Sequence, residues 1–298
     1  MSPVVVRKVR QEEVDAAAEV LNEHSRRLYG TADITPAELR EDWSAPDVDF
    51  PDNVLVAEVE GRLVGYADVI PRGEAAWLDV RGTDARAYEP LLDAITRRAD
   101  TLGRDNVRGW APEVDRDLHE AYERAGFRPF RHSFRMEIEL AGDLPTPEWP
   151  EGFSVRPFRE GDERAAWETH QDSFAGTWGF TQEPFETWAH WHLGEYFQPA
   201  HWFFVETGDE VAAVALCRQP ESEPGLGWVN ILGVRPAYRR RGLAIALLQH
   251  VFRHFAELGS SKVGLGVDAE NPTGAVRLYE RAGMHVARRD IRYERVTG

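Results

Sequence analysis

Three consecutive arginines, Arg239, Arg240 and Arg241, stand immediately before the small residues Gly242 and Ala244. Guanidinium groups donate charge-assisted hydrogen bonds to phosphate oxygens. A helix is expected to begin directly after Gly242, and the unpaired N–H groups of a helix start favour an anion. Glycine and alanine leave room for a phosphate group to approach the backbone. These residues therefore predict a pyrophosphate-binding loop.

A strand and a helix are expected to hold this loop in place. Trp228–Val234 is continuously β-favourable, and Pro236 ends the strand because it has no N–H to donate. Gly233 suits a β-bulge that separates this strand from its neighbour. Apolar residues with helical spacing then predict a long amphipathic helix, and these are Leu243, Leu247, Val251, Phe255 and Leu258.

A second segment, VGLGVDAENPTGAVRLYERAGM, is expected to pack beside the loop. It reads as a strand over 263–267, a loop and a short helix. Asn271 is expected to cap that helix with Pro272 at its first position, and Gly283 is expected to end it.

The two segments together resemble the GNAT N-acetyltransferase superfamily. Arg239-x-x-Gly242-x-Ala244, preceded by a strand, resembles its acetyl-CoA signature Q/R-x-x-G-x-G/A, and the second segment resembles its N-x3-A-x2-L-Y-x3-G pattern. The resemblance implies that acetyl-CoA is the cosubstrate. It places cofactor binding on Leu232, Gly233, Val234, Arg239, Arg240, Arg241, Gly242, Leu243, Ala244, Asn271 and Tyr279.

The same resemblance assigns chemical roles. A backbone N–H near Val234 donates to the thioester oxygen, Asn271 contacts the pantetheine arm, and Tyr279 is the general acid that protonates the departing thiolate.

The sequence does not identify a single residue as the general base. An alkyl amine with a pKa near ~10.4 is protonated at neutral pH and must lose a proton before it attacks. Many family members, mycothiol synthases among them, carry Glu or His early in the fourth strand, where this chain has Trp228 and Asn230. Asn230 is expected to position a water or the substrate. Glu206, Asp172 and His170 are the alternatives for the base.

Composition restricts the class of protein. The 298 residues suit two domains, and the net charge of −16 argues against non-specific binding to nucleic acid or anionic membranes. It is compatible with a small-molecule amine. No apolar run approaches the ~18 residues of a membrane span, and the N-terminal stretch lacks a secretory signal pattern. Cys217 is the only cysteine, which suits a reducing compartment, so we expect a cytoplasmic protein. We also expect a monomer or a homodimer.

Two halves of the chain repeat at an offset of about one domain. The stretch VVVRKVRQEEVDAAA near the N-terminus matches FSVRPFREGDERAAW, and AYERAGF matches LYERAGM. We predict an N-terminal domain over residues 1–140, a Pro- and Gly-rich linker over 141–152, and a C-terminal catalytic domain over 153–298. Each is expected to be an α/β domain with a mixed, mostly antiparallel sheet flanked by helices, so the resemblance implies two tandem GNAT folds.

The first copy is expected to have lost acetyl-CoA binding. Its matching loop, RGTDARAY, has no arginine–glycine signature and carries Asp84. Residues 1–145 have a net charge of −11 (19 bases, 30 acids), against −5 (16 and 21) for the remainder. This degenerate tandem arrangement resembles mycothiol synthase-like actinobacterial acetyltransferases.

Aromatic residues concentrate between Phe174 and Phe204. They are interpreted either as core packing or as an acceptor pocket for a ring-bearing amine. His190-x-His192 lacks an acidic or thiol partner, so no metal site is predicted. The leading hypothesis is an acetyl-CoA-dependent N-acetyltransferase acting on a small amine. The alternatives are a CoA-binding pseudoenzyme or regulator, and mycothiol synthase itself.

Overall fold

The computed structural model describes residues 2–296, and the chain divides into two compact units. The first unit runs to Ser133 and also includes the residues from Arg289 onward, whereas the second is Phe134–Arg288. Each unit has a mixed, mostly antiparallel sheet flanked by helices, which confirms the predicted fold class. No helix of the described residues is long and apolar enough to span a membrane.

The first unit follows a β–α–α–β–β–β–α–β–α order. Its elements are β1 (Val5–Lys8), α1 (Val14–Tyr29), α2 (Pro36–Trp43), β2 (Val54–Val59), β3 (Arg62–Arg72), β4 (Ala75–Gly82), α3 (Tyr88–Asp100), β5 (Asn106–Pro112) and α4 (Arg116–Arg124). β1 to β4 pair antiparallel in sequence order, and β4 pairs parallel with β5. The next strand along the chain, β6 (Arg128–Glu139), enters the second unit at Phe134.

The second unit repeats this order. Its elements are β7 (Ser154–Pro157), α5 (Glu163–Phe174), α6 (Phe185–Leu193), β8 (Trp202–Thr207), β9 (Glu210–Arg218), β10 (Leu226–Val234), α7 (Leu243–Glu257), β11 (Lys262–Asp268) and α8 (Ala275–Arg281), followed by β12 (His285–Val296). β7 to β10 pair antiparallel, and β10 pairs parallel with β11.

The last strand of each sheet comes from the other half of the sequence. In the first unit β12 pairs antiparallel with β5, from Asp290↔Pro112 to Val296↔Asn106. In the second unit β6 lies next to β11. Residues 141–152 form no helix or strand, and Leu144 and Trp149 among them pack on the core of the second unit. The sequence-defined domains 1–140 and 153–298 stay our proposal for the duplicated segments.

The helix α7 begins at Leu243, as the sequence predicts. Its apolar positions, including Leu247, Val251 and Phe255, are fully buried against the sheet in the largest core of the second unit. Leu258 was expected to continue this face, but the helix ends at Glu257 and Leu258 is exposed. The buried face fixes the start of α7 at the end of β10.

Candidate active site

The parallel strands β10 and β11 separate partway along their length. They pair from Leu226↔Lys262 to Val229↔Leu265, but β10 continues to Val234 and β11 continues to Asp268. Parallel strands are joined by evenly spaced backbone hydrogen bonds. Where that pairing stops, backbone groups of the two strands face each other across a gap that lies between residues 230–234 and 266–268.

A β-bulge precedes the gap, but not at the predicted glycine. The pairing of β9 with β10 shifts register between Val229 and Ile231, so Asn230 is the extra residue, and it is exposed. The prediction of a bulge at Gly233 is therefore wrong. A Cβ on Gly233 would lie 3.0 Å from both Cβ and Oγ of Ser173 on α5. Glycine is needed there because α5 packs closely on the strand.

Backbone alternation shows which groups face the gap. The N–H of Arg235 donates to the carbonyl of Ala212 at 3.0 Å, on the β9 side. Successive residues of a strand direct their N–H groups to opposite sides, so the N–H groups of Leu232 and Val234 point toward β11. The Val234 carbonyl accepts from Arg239 Nε at 3.2 Å. Two N–H donors at 232 and 234 therefore line the gap.

The three arginines of the loop have different surroundings. Arg239 Nη2 donates to the Ser173 carbonyl at 2.8 Å, which ties the loop to α5. The Arg241 guanidinium lies 5.8 Å from the ring centre of Phe153 and 5.7 Å from that of Tyr238. Arg240 is exposed and has a positive φ of 62°, which is uncommon for a non-glycine residue.

The start of α7 offers backbone donors to an anion. Gly242 is its N-cap with φ 86°, and no side chain caps it. The first helical hydrogen bond runs from Ala246 N–H to the Gly242 carbonyl at 3.1 Å, so the N–H groups of 243–245 have no acceptor within the helix. A Cβ on Gly242 would meet nothing within 4 Å. Open space, unpaired donors and a positive loop fit a pyrophosphate group.

Asn271 does not cap the following helix as predicted. Its Oδ1 accepts from the N–H and Oγ1 of Thr273, at 2.9 and 2.6 Å. The helix α8 begins at Ala275 with Gly274 as N-cap, whose φ is 78°. A side chain that closes its own local turn competes with helix capping. Asn271 therefore shapes the loop after β11.

Tyr279 on α8 belongs to the apolar cluster that contains Leu232, Val234 and Leu265. Its side chain is 9% exposed, and burial raises the pKa of Tyr279 to about 12. The phenol is therefore protonated at neutral pH and can donate a hydrogen bond.

The matching tyrosine of the first unit, Tyr122, is enclosed instead. It is 0% exposed and stacks on Tyr293 with ring centres 4.9 Å apart. A Cβ on Gly109 would lie 2.3 Å from its hydroxyl oxygen, so Tyr122 occupies the space below Gly109. In the second unit the corresponding position, by strand register, is Leu265. Because the Leu265 side chain fills that space, Tyr279 cannot occupy the corresponding position.

The corresponding gap of the first unit is closed by side chains. β4 and β5 pair only as far as Leu78↔Gly109. Beyond that pair, the Tyr88 hydroxyl donates to Asp115 Oδ2 at 2.7 Å and lies 3.2 Å from the Gly82 carbonyl oxygen, and His24 Nε2 lies 2.8 Å from the same carboxylate oxygen.

The loop that follows β4 is also unsuited to an anion. The Asp84 carboxylate accepts from the Arg86 N–H at 3.0 Å and pairs with the Arg86 guanidinium at 2.5 Å, so the donors of this turn are already bound to a carboxylate. The loss of acetyl-CoA binding in this unit stays a prediction, and the closed gap supports it.

Glu206, an alternative for the base, is engaged elsewhere. It lies on β8, which β9 separates from β10. Arg156 Nε donates to its Oε1 at 2.6 Å. Arg7 and Glu58 make the same pair in the first unit. A pair repeated in both copies indicates a structural role.

The other two alternatives also have partners. Asp172 is half-exposed and lies 3.5 Å from Arg235 Nε. His170 Nδ1 accepts from Trp188 Nε1 at 2.9 Å, and burial lowers the pKa of His170 to about 4. Each of the three candidates therefore already has a hydrogen-bond or ion-pair partner.

The aromatic stretch mainly forms core. Trp188, Trp202 and Phe204 are buried in a cluster between α5, α6 and the sheet. His190 and His192 lie on α6, where residues two apart face different directions. Among the described residues, no group of three or more His, Cys, Asp or Glu side chains could hold a metal ion.

Sequence reasoning missed Ser173, which anchors Arg239 and packs on Gly233. It also missed the surroundings of Trp228. The alternating glycines Gly264 and Gly266 in β11 were the available signal, because a strand places them on one face.

Comparison with known proteins adds the family. Residues 146–284 match the family described as "Acetyltransferase (GNAT) family". The chain is 33% identical over 257 residues to the mycothiol acetyltransferase of Kineococcus radiotolerans, with 80% of each chain covered. It is 30% identical over 260 residues to that of Geodermatophilus obscurus, with 82% of each covered.

Comparison with solved structures supports the same fold. The GCN5-related N-acetyltransferase from Sphaerobacter thermophilus has a TM-score of 0.78 and 28% identity, covering 100% of this chain and 97% of that one. A tandem GNAT protein from the clavulanic acid biosynthesis pathway has a TM-score of 0.71, with 99% of both chains covered, and at 14% identity it supports the fold alone. The predicted tandem GNAT fold and the predicted family are confirmed.

Proposed function

This chain belongs to the GNAT acetyltransferase family and is an acetyl-transferring enzyme, and we propose that its C-terminal domain, 153–298, moves the acetyl group of acetyl-CoA to the amine of a small molecule. One observation carries the proposal. The β10–β11 gap has two inward N–H groups and an uncapped helix start beside it, whereas side chains fill the matching gap of the first unit.

The loop and the start of α7 bind the pyrophosphate in this proposal. The N–H groups of Leu243, Ala244 and Ile245 supply fixed donors, and the exposed Arg240 supplies a positive charge. Arg239 positions the loop through the carbonyls of Ser173 and Val234. Asn271 orients the loop that contacts the pantetheine arm.

The N–H groups of Leu232 and Val234 hold the thioester in the gap. A donor aimed at the carbonyl oxygen stabilises the negative charge that develops when the amine attacks. The amine nitrogen forms a bond to the acetyl carbon, the carbon–sulfur bond breaks, and the electron pair of that bond leaves on sulfur as a thiolate.

Tyr279 interacts with this thiolate mainly as a hydrogen-bond donor. Its pKa is about 12, whereas a free thiol has a pKa of about 8.5. Complete proton transfer from the tyrosine is uphill by about 3.5 pKa units, or about 5 kcal/mol. A hydrogen bond stabilises the leaving group without that penalty.

No carboxylate or imidazole serves as the base in this proposal. The enzyme then uses the neutral fraction of the amine, which is about 0.001 at pH 7.4 for an amine of pKa ~10.4, equivalent to about 4 kcal/mol. Asn230 hydrogen-bonds the incoming amine or a water that takes its proton.

A second candidate function is mycothiol acetyltransferase activity. The relatives that bear this name are about 30% identical over about 80% of the chain. This chain differs from the sequence pattern of that group at Trp228, where the pattern has an acidic residue or a histidine. Acetylation of the amine precursor of mycothiol, at a rate above that of simple amines, would favour this function.

The test is thiol release from acetyl-CoA with a panel of amines. Wild-type protein is expected to acetylate at least one small amine. A variant carrying Gly242→Glu is expected to lose acetyl-CoA binding and turnover together. Tight acetyl-CoA binding without turnover on any amine would instead favour the CoA-binding regulator.

A further inference from the structure

The face of the second sheet beside Asn230 has an unusual surface. Trp228 precedes Asn230 by two residues, so before the bulge both side chains lie on one face of β10. A Cβ on Gly264 would lie 3.0 Å from Cζ3 of the Trp228 indole, and one on Gly266 would lie 4.0 Å from Cζ2. The indole therefore lies over two glycines. Asn230 and Gly266 are exposed although their strands have neighbours on both sides.

The first unit has large side chains at the same positions. By strand register, Trp77 corresponds to Trp228, and Arg108 and Trp110 correspond to Gly264 and Gly266. Arg108 pairs with Glu294 at 2.6 Å, and the Arg81 guanidinium lies 4.5 Å from the ring centre of Trp110. The first unit fills this face, and the second leaves it open beside its gap.

A buried ionic network fixes the Trp228 ring. Arg135 lies 5.1 Å from the ring centre and pairs with Glu137 at 2.5 Å and Glu223 at 2.7 Å. Lys262 pairs with both acids, at 3.2 and 2.7 Å. The two positive side chains and the two negative side chains of this network balance in charge. The surface around Trp228 therefore attracts neither anions nor cations strongly. Because Arg135 lies over the indole, the part of the ring that faces the open surface is its edge at Cζ2, beside the exposed Gly266.

Ser173 supplies a polar group on the same face. It packs over Gly233, and its Oγ is buried without a hydrogen-bond partner in the described residues. A buried hydroxyl without a partner is unfavourable. Asn230 and Ser173 therefore offer hydrogen bonds along the strand that carries Trp228.

We propose that Trp228, seated on Gly264 and Gly266, is the specificity-determining wall of the acceptor subsite and selects primary amines that carry a flat ring close to the amino group. The inference rests on the proposed function, because it places the acceptor on the open face of the same gap. An edge-to-face contact between two aromatic rings strengthens a complex by up to about tenfold beyond the effect of the area that it buries, and a flexible alkyl chain gains no such term. An ordered ring also loses less conformational freedom on binding.

The experiment compares 2-phenylethylamine with n-hexylamine as acceptors, using the full chain and saturating acetyl-CoA. Wild-type protein is expected to have the higher kcat/KM for the ring amine. Trp228→Leu is expected to lower the ratio of the two kcat/KM values about tenfold, while Trp228→Phe retains most of the preference. Gly266→Leu, which covers the indole edge, is expected to lower the ratio as well.

Trp77→Leu is the matched control. Trp77 has the same strand position and also lies near an arginine, Arg292 Cζ being 5.4 Å from its ring centre. That variant is expected to leave the ratio unchanged. The inference is overturned if wild-type protein shows no ring preference, acetylates neither amine while binding acetyl-CoA, or loses the ratio equally in both Leu variants. Failure to bind acetyl-CoA, measured separately by calorimetry, would instead refute the proposed function.

Discussion

Gly242 provides the sharpest test of the anion site, because it separates charge from backbone strain. Its φ of 86° costs a residue with a side chain about 1–2 kcal/mol of folding free energy. A Cβ there meets nothing within 4 Å, so Gly242→Ala adds strain but neither a clash nor a charge. Gly242→Glu adds the same strain and one negative charge at the start of α7.

The expected effect of the charge follows from electrostatics. A carboxylate about 5 Å from a pyrophosphate charge raises the energy by about 3 kcal/mol at an effective dielectric constant of 20. That energy corresponds to roughly a 100-fold weaker acetyl-CoA affinity. Gly242→Ala is expected to bind within about threefold of wild type, since the strain acts mainly on folding.

Isothermal titration calorimetry with acetyl-CoA measures both affinities, and thermal unfolding measures the strain. The loss in the Glu variant should shrink as salt is added, because screening weakens exposed charges. Equal dissociation constants for the Ala and Glu variants would refute the anion site, whatever their melting temperatures.

Three further predictions concern catalysis and stability. Tyr279→Phe removes a hydrogen-bond donor to the leaving thiolate and is expected to lower kcat about 100-fold while leaving the acetyl-CoA dissociation constant within a few-fold, as stopped-assay kinetics and calorimetry would measure. Tyr122→Phe, its counterpart in the first unit, is expected to leave kcat unchanged and to keep the free energy of unfolding within about 1 kcal/mol of wild type in denaturant titrations, because it removes one buried hydroxyl and keeps the ring stacked on Tyr293; a matching loss of kcat would show that the first unit takes part in the reaction. With an amine of pKa ~10.4, kcat/KM is expected to rise about tenfold per pH unit from pH 6 to 9, since only the neutral amine reacts and Tyr279, with its pKa near 12, stays protonated throughout; a plateau above pH 7 would reveal an enzymatic base.

The regular elements around the site follow from local pattern. The strand before the loop and the start of α7 at Leu243 are predicted correctly, because an apolar period and a small helix N-cap are both visible within a dozen residues. The position of the bulge is predicted wrongly. A bulge is a property of the pairing between β9 and β10, and Gly233 gives no local sign that its missing side chain serves contact with Ser173.

The prediction of where α8 begins is wrong for a related reason. Asn271 and Pro272 form a good helix-start pattern, but the Asn271 side chain closes a turn with Thr273 and the helix starts later, after Gly274. The exchange of closing strands β6 and β12 has no local signature, since the neighbour of a strand is set by pairing between distant parts of the chain. The sequence therefore predicts which residues form the candidate anion-binding loop. Which pair of parallel strands leaves an open gap depends on contacts between distant parts of the chain, which the local sequence does not show.

The most direct measurement is the native mass of the full chain with acetyl-CoA. The account predicts one bound acetyl-CoA per chain for wild-type protein and none for Gly242→Glu at the same concentration. Two bound molecules per chain, or one molecule that persists in the Gly242→Glu protein, would contradict the assignment of the cosubstrate to the gap between β10 and β11.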